Sequence, residues 1–191
     1  MDPLPEGIDH DDLELRRWVR DDAAVLHELI IRNVDHLRPR MPWIAAEPLV
    51  VADRRDLIEK WELAWRAGGD AVFAIRRDGV ALGACGLHRR LGPGGLEIGY
   101  WVDVDQQGQG IATAATEALT NLAFTLPEID RVEIHHDVTN LASARIPQKL
   151  GYVRLPDLVG VERVLAPADT GTDCVWRVTR EDWVGFSRGN R

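Results

Sequence analysis

Apolar and polar residues follow two periods along this chain, and these periods separate predicted strands from predicted helices. Leu13-Glu14-Leu15-Arg16 alternates residue by residue, as expected of a strand with one buried face. Further strand-like runs are predicted at residues 71–77, 80–88, 96–104, 131–138, 152–155 and 174–179. Apolar residues at helical spacing predict helices behind Asp21-Asp22, from Asp53 to Gly68, from Ile111 to about 125, and from Leu141 to Leu150.

Two turns set the order of the predicted sheet. The Asp78-Gly79 pair between two strand-like runs predicts a β-hairpin, and Gly92-Pro93-Gly94-Gly95 predicts the next reversal. Three consecutive antiparallel strands then precede the helix at Ile111, so we expect an α+β fold with a mixed, largely antiparallel sheet and helices on both faces. We expect one domain over residues 1–191, with residues 1–11 as a flexible lead-in and residues 156–173 as a long loop or hairpin arm.

The most informative stretch is the polar, glycine-rich turn 105–110, which joins the strand 96–104 to the helix at Ile111. The first N–H groups of a helix have no partner within it and lie at the positive end of its dipole. Gly108 and Gly110 lack a Cβ, so an anion can approach the backbone closely. The turn therefore predicts a phosphate cradle, although many α/β proteins use such glycines for the turn alone. A Walker-type NTPase is excluded because G-x-x-x-x-G-K-[ST] is absent, and G-x-G-x-x-G is incomplete because position 113 is Thr.

Composition narrows the classes of partner. A chain of 191 residues that is 45% hydrophobic can bury one substantial core, and a net charge of −8 argues against a nucleic-acid partner. Cys85 and Cys174 lack metal-ligand spacing, so we expect reduced, buried thiols and no metal site. No apolar run approaches the roughly 18 residues of a membrane span, and residues 1–7 lack the features of a signal peptide. We therefore expect a cytoplasmic protein without a membrane partner.

A family resemblance rests on two separated motifs. Gln107-Gly108-Gln109-Gly110-Ile111-Ala112 fits the Q/R-x-x-G-x-G/A loop of the GNAT acyl-CoA N-acyltransferases. Asn140-Leu-Ala-Ser143, followed by Lys149-Leu150-Gly151-Tyr152, resembles the second GNAT motif, N-x-x-S/A … K-L-G-F/Y. The flanks at 36–43 and 175–183 resemble the branch that acetylates the N-termini of ribosomal proteins. The resemblance covers nearly the whole chain.

This resemblance implies acetyl-CoA as a co-substrate, with no metal, and a sheet that splays apart after the strand Leu96–Val104. Backbone groups of Val102 and Val104 would then pair with the pantetheine arm as if it were an added strand. The pyrophosphate would be held by the backbone N–H groups of the turn and the first helical turn, namely Gln107, Gly108, Gln109, Gly110, Ile111, Ala112 and Thr113.

The attacking amine must be neutral, yet amines are largely protonated at neutral pH, so a carboxylate or a water chain is needed to accept the proton. Glu97, on the central strand shortly before the implied cofactor-pairing segment, is the first candidate. A solvated or ion-paired structural role for Glu97 is the alternative. Glu133, His135 and His136 rank lower, because adjacent histidines on a strand point to opposite faces and at most one can face a cleft.

The thiolate leaving group shows a departure from the family pattern. Many GNAT enzymes place a Tyr three residues before the Leu-Gly-Phe, and here that position is Pro147. Tyr152 fills the family's aromatic position and is expected in the core. Ser143 is the hydroxyl that the resemblance implies near the thioester, with helix capping as the alternative. Asn140 either caps the same helix or contacts the pantetheine arm.

The acceptor pocket is implied near the segment before the second helix, where His36, Arg38 and Trp43 are the substrate-binding candidates. The first acceptor to consider is the N-terminal α-amine of a protein. A small-molecule amine, a succinyl-type donor and a non-catalytic acyl-CoA-binding module are the alternatives, and a homodimer contact through residues 156–173 stays open.

Overall fold

The structure is a computed structural model that describes residues 3–162 and 164–189, with side chains up to Val184. Its strands are β1 (Gly7–His10), β2 (Leu13–Arg17), β3 (Ala71–Arg77), β4 (Val80–His88), β5 (Gly95–Val102), β6 (Arg131–Asp137), β7 (Val153–Arg154), β8 (Leu158–Val159) and β9 (Thr172–Thr179). Its α-helices are α1 (Ala23–Leu37), α2 (Val51–Arg66), α3 (Ile111–Ala123), α4 (Leu141–Lys149) and α5 (Arg180–Gly189).

The described strands form one sheet in the order β1-β2-β3-β4-β5-β6-β9-β7, and β8 also pairs with β9. Neighbouring strands are antiparallel except β5 and β6, which run parallel. The parallel pairing is short: it joins Gly95 to Arg131, Leu96 to Val132 and Glu97 to Glu133, and extends no further among the described residues. The sheet therefore opens between β5 and the next strand, as predicted, from Ile98 onward, and β5 ends at Val102, two residues before its predicted end.

Helices cover both faces of the sheet, as predicted. On one face, α3 packs on β1, β2, β4 and β5 around a core that includes Phe73, Leu96 and Ile134. On the other face, α1 and α2 pack over β3 and β4 around Trp18, Leu26 and Ile58. The mixed, largely antiparallel architecture expected from the sequence is confirmed.

The N-terminal segment differs from its prediction as a flexible lead-in. Residues 7–10 form β1 and pair antiparallel with β2, while Leu4 is buried in the core. The predicted hairpin is present, with Asp78 and Gly79 at φ values of 51° and 76° between β3 and β4. Positive φ at both central positions is the geometry that suits a two-residue hairpin turn.

The C-terminal part contains an element that the strand pattern did not predict. The last strand begins at Thr172, two residues before its predicted start, and α5 follows directly. At the start of α5, the Asp182 N–H donates to Thr179 Oγ1 at 3.2 Å, and the Thr179 hydroxyl donates to Asp182 at 2.6 Å. Within residues 156–173, the short β8 forms the predicted hairpin arm against β9. None of the helices in the described ranges is long and apolar enough to cross a membrane.

Candidate coenzyme A and acceptor site

The glycine turn before α3 presents backbone donors that the protein leaves unpaired. Gly108 and Gly110 have φ values of 75° and 82°, and a Cβ on either would meet no atom within 4 Å. The first intrahelical bond of α3 is donated by Ala114 N–H to the Gly110 carbonyl at 3.0 Å. Within the described part of the chain, the six N–H groups from Gly108 to Thr113 have no hydrogen-bond acceptor. These donors at the positive end of a helix fit an anionic diphosphate.

The opening of the sheet exposes the edge of β5 beside this turn. The Asp103 N–H donates to the Leu82 carbonyl of β4 at 2.7 Å. By strand alternation, Gly99 and Trp101 also direct their backbone groups to β4, while Tyr100 and Val102 direct theirs into the gap opposite β6. An extended ligand arm can therefore pair with this edge as an added strand would.

Three side chains of α1 hold the segment between β5 and the glycine turn. Asn33, which is fully buried, accepts a hydrogen bond from Val104 N–H at 2.8 Å. Arg32 pairs with the Asp103 carboxylate, and His36 Nε2 lies 2.7 Å from Gln107 Nε2. The Val104 N–H that we predicted to bind the pantetheine arm is thus already used. His36, a predicted acceptor contact, instead contacts the side chain of the phosphate turn.

The start of α4 lies across the gap from β5. Asn140 is the N-cap, and its Oδ1 accepts from Ser143 N–H at 3.2 Å. The Ser143 hydroxyl lies 2.9 Å from the Tyr100 hydroxyl, which also donates to the Ser143 carbonyl at 3.3 Å. That carbonyl is free because Pro147, four residues later, has no N–H to donate to it. Burial raises the pKa of Tyr100 to about 12, so the phenol stays protonated.

The face of the sheet below α1 and α2 carries paired carboxylates and imidazoles. The Arg90 guanidinium lies 3.3 Å from Glu97 Oε1. His88 Nδ1 lies 2.7 Å from Asp70, and His135 Nε2 lies 2.7 Å from Glu133. Glu133 also accepts from Arg177 Nε at 2.7 Å. Although burial alone would favour the neutral acid, the bonds from His135 and Arg177 hold the pKa of Glu133 below its usual value.

His136 points to the opposite face, as alternation predicted. Its Nε2 accepts from the indole N–H of Trp176 at 3.0 Å, and the residue is buried. Burial is the largest effect on this group and lowers the pKa of His136, which favours the neutral imidazole. His136 is therefore part of the packing between sheet and helices and does not face the acceptor side.

Comparison with known proteins identifies the family. Residues 12–153 match the family model described as the acetyltransferase (GNAT) domain. The chain belongs to the GNAT acetyltransferase family. It is 33% identical over 141 residues to YdaF of Bacillus subtilis (strain 168), covering 69% of this chain and 73% of that protein. It is 27% identical over 146 residues to the ribosomal-protein-serine acetyltransferase of Escherichia coli (strain K12), covering 74% and 79%.

A solved structure shares the fold of this GNAT chain. RimL, a ribosomal L7/L12 α-N-protein acetyltransferase in complex with coenzyme A, superposes with a TM-score of 0.80 at 21% identity. The match covers 93% of this chain and 98% of RimL. The family, the fold and the acetyltransferase activity that the motifs implied are therefore confirmed, and this GNAT protein is an enzyme.

Two predicted acceptor residues occupy different surroundings in this GNAT fold. Trp43 is 42% exposed and packs at 6.3 Å between ring centroids against Trp101 of β5, on the same face as Glu97. Arg38 is exposed, and its side chain has no hydrogen-bond or ion-pair partner in the described ranges. Arg40 instead donates to the Thr139 hydroxyl at 2.6 Å and links the end of α1 to the turn before α4. Trp43 therefore lies beside the opening of the sheet, and Arg40 makes the contact that links α1 to α4.

Sequence analysis missed residues whose role depends on partners far along the chain. Tyr100, Asn33 and the His88–Asp70 pair carry no local motif. Asn33 did offer one signal, because it is a polar residue at helical spacing from the buried Leu29 and Leu37. A polar residue on a buried helix stripe must find a hydrogen-bond partner, and here that partner is the segment leading into the phosphate turn.

Proposed function

We propose that this GNAT enzyme transfers an acetyl group from acetyl-CoA to a primary amine, and that the N-terminal α-amine of a protein is its acceptor. The observation that carries the proposal is the run of six unpaired N–H groups, Gly108 to Thr113, beside the open edge of β5. The named activity of the Escherichia coli relative and of RimL supports the choice of a protein α-amine.

The residues divide the work between donor and acceptor. The backbone of Gly108, Gly110 and the first turn of α3 would hold the diphosphate, and the edge at Tyr100 and Val102 would align the pantetheine arm. Acetyl-CoA, when bound, supplies a thioester whose thiol has a pKa near 8.5 and is a good leaving group. Ser143, fixed by Tyr100 and Asn140, would offer a hydroxyl on the gap side of α4.

The acceptor face favours a cationic amine. Glu97, Glu133 and Asp70 bring three carboxylates to the side of the sheet that Gly99 faces, and Trp101 and Trp43 line it toward α1. Arg90 and Arg177 offset part of this charge, and the remaining carboxylate oxygens can attract a protonated amine to the opening before it reacts. The predicted proton acceptor, Glu97, lies in this row with Arg90 beside one of its oxygens.

A thiol-release assay tests the proposal. Peptides with free N-terminal Ser or Ala would be compared with the same peptides acetylated at the N-terminus and with small amines such as polyamines and amino acids. We expect thiol release with the free peptides, and mass spectrometry should place the acetyl group on the α-nitrogen. Turnover with small amines but not with peptides would show that the acceptor is a small molecule. Coenzyme A binding without turnover across the panel would contradict an enzymatic role in N-acetylation.

A further inference from the structure

One imidazole on the acceptor face is oriented by a carboxylate in a defined tautomer. His88 is the last residue of β4, and its Nδ1 lies 2.7 Å from Asp70 Oδ2. Asp70 Oδ1 accepts from the Arg89 N–H at 2.9 Å. Burial raises the pKa of Asp70, but the bonds from His88 and Arg89 outweigh it and lower the pKa overall, so the carboxylate is ionised at neutral pH. An ionised carboxylate only accepts, so Nδ1 carries a proton, and in the neutral imidazole the lone pair is then on Nε2.

The free nitrogen points to the opening of the sheet. A Cβ on Gly86 would lie 3.1 Å from His88 Nε2, and a Cβ on Gly99 would lie 3.3 Å from it. The imidazole therefore fills the hollow above this glycine pair, which is matched across β4 and β5. Gly99 is two residues beyond the last pair between β5 and β6. The His88 side chain is only 16% exposed, and Nε2 has no hydrogen-bond partner in the described part of the chain.

The other titratable groups on this face also have partners. Glu97, the Cα partner of His88 in the ladder, shares its Oε1 with Arg90 at 3.3 Å. On β6, His135 is bound to Glu133, which is bound in turn by Arg177. Burial lowers the pKa of His135, but the Glu133 bond and the nearby Glu97 charge outweigh this and raise it, so His135 tends to stay protonated. Among the described titratable groups of this face, His88 combines an unpartnered ring nitrogen with a position over Gly99.

We propose that His88, held by Asp70, is the group that takes the proton from the acceptor ammonium, and that Glu97 attracts this ammonium by charge. This inference rests on the proposed acetyl transfer to an amine. In the step, one N–H bond of the ammonium breaks and an N–H bond forms at His88 Nε2. The electron pair left on the amine nitrogen becomes available for attack, and the imidazolium, stabilised by the Asp70 carboxylate, later returns the proton to water.

Replacing His88 tests the proposal against a matched histidine. His88→Gln should lower kcat about 100-fold or more, because general base catalysis contributes roughly 10²–10⁴-fold, and should leave the affinity for coenzyme A unchanged. The acidic limb of the kcat/KM profile against pH should change with it. His10→Gln is the control, because His10 is 19% exposed, lies 3.7 Å from Glu117, and is on β1 away from the opening. We expect the control to keep the wild-type profile.

The tautomer gives a readout that does not depend on turnover. In ¹⁵N NMR spectra above the imidazole pKa, His88 should carry its proton on Nδ1. In Asp70→Asn the new amide can donate to Nδ1, so the proton should move to Nε2 and kcat should fall. Asp70→Glu should restore part of the Nδ1 protonation and part of kcat. Glu97→Gln should raise KM for the amine more than it lowers kcat.

The outcomes distinguish a failure of the His88 proposal from a failure of the proposed acetyl transfer. If the wild-type enzyme acetylates an amine while His88→Gln keeps its kcat and its acidic limb, His88 is not the proton acceptor. If Glu97→Gln abolishes that limb instead, the sequence-based assignment to Glu97 holds and the His88 proposal is overturned. If the wild-type enzyme acetylates no amine at all, the proposed function itself fails.

Discussion

Two strand–turn–helix units leave the sheet at the C-terminal ends of the parallel strands β5 and β6, and the starts of their helices differ. After β6, Asp137 accepts from the N–H and hydroxyl groups of both Thr139 and Thr170, and Asn140 caps α4. After β5, α3 begins at a left-handed Gly110 with no side-chain cap. A helix that binds its own cap needs no ligand, whereas one whose donors stay free is prepared for an anion.

The variant with the largest expected effect adds a side-chain cap to the glycine turn before α3. Gly110→Asp places a carboxylate where α3 has no cap, so it should occupy the free N–H groups and repel a diphosphate. We expect coenzyme A to bind about 100-fold more weakly, or about 2.7 kcal/mol, by calorimetry. Gly92→Asp is the control, because Gly92 also has a left-handed φ with open space around it. Unchanged affinity in Gly110→Asp would refute the phosphate assignment.

A second test removes the charge of Asp137, which holds the turn after β6 through its hydrogen bonds with Thr139 and Thr170. Burial opposes ionisation of this carboxyl, but the hydrogen bonds from Thr139 and Thr170 outweigh it and hold the pKa of Asp137 well below its usual value. Asp137→Asn should lower the free energy of unfolding by about 2 kcal/mol at neutral pH, measured by urea denaturation. Because the native pKa is depressed, this contribution is present at neutral pH and is lost as pH falls below about 5.

The difference between wild type and Asp137→Asn should therefore shrink with acid. Asp157→Asn removes an exposed carboxylate paired with Arg154 at 2.7 Å, and we expect it to change stability by less than about 1 kcal/mol. A constant difference between Asp137→Asn and wild type from neutral to acid pH would show that its charge is not what stabilises the turn.

The smallest test removes the cap of α4 alone. Asn140→Ala should cost about 1 kcal/mol of stability because Ser143 N–H loses its acceptor, and Asn140→Asp should restore it. Thermal unfolding of the three proteins measures the effect. If Asn140→Ala weakened coenzyme A binding with no loss of stability, Asn140 would act on the ligand, which is the alternative left open by the sequence.

Local signals in the sequence predicted local structure well. Asp78-Gly79 requires a turn with positive φ, and the glycines at 108 and 110 require an open backbone, so both were found from residue type alone. The buried stripe of α1 is less exact, because residue type does not separate Val25, which is exposed, from the neighbouring Leu26, which is buried. A shift of one residue turns a helix by about 100°, and several apolar residues in this segment fit either choice.

Contacts between distant segments could not be predicted in the same way. Asn33 and Val104 are brought together by the packing of α1 on the sheet, and Asp70 meets His88 only because β3 and β4 pair. Periodicity reports which face a residue occupies and not which partner it meets. The start of α5, however, could have been predicted, because Thr179-x-x-Asp182 places a hydroxyl and a carboxylate at the spacing of a helix cap.

The short ladder between β5 and β6 has a mechanical consequence. Three residue pairs are all that join these two strands in the described chain, so the sheet has a seam at its centre. A cosubstrate that pairs with the backbone at Tyr100 and Val102 would add hydrogen bonds between β5 and β6. Its binding would therefore stabilise the contact between the two halves of the sheet.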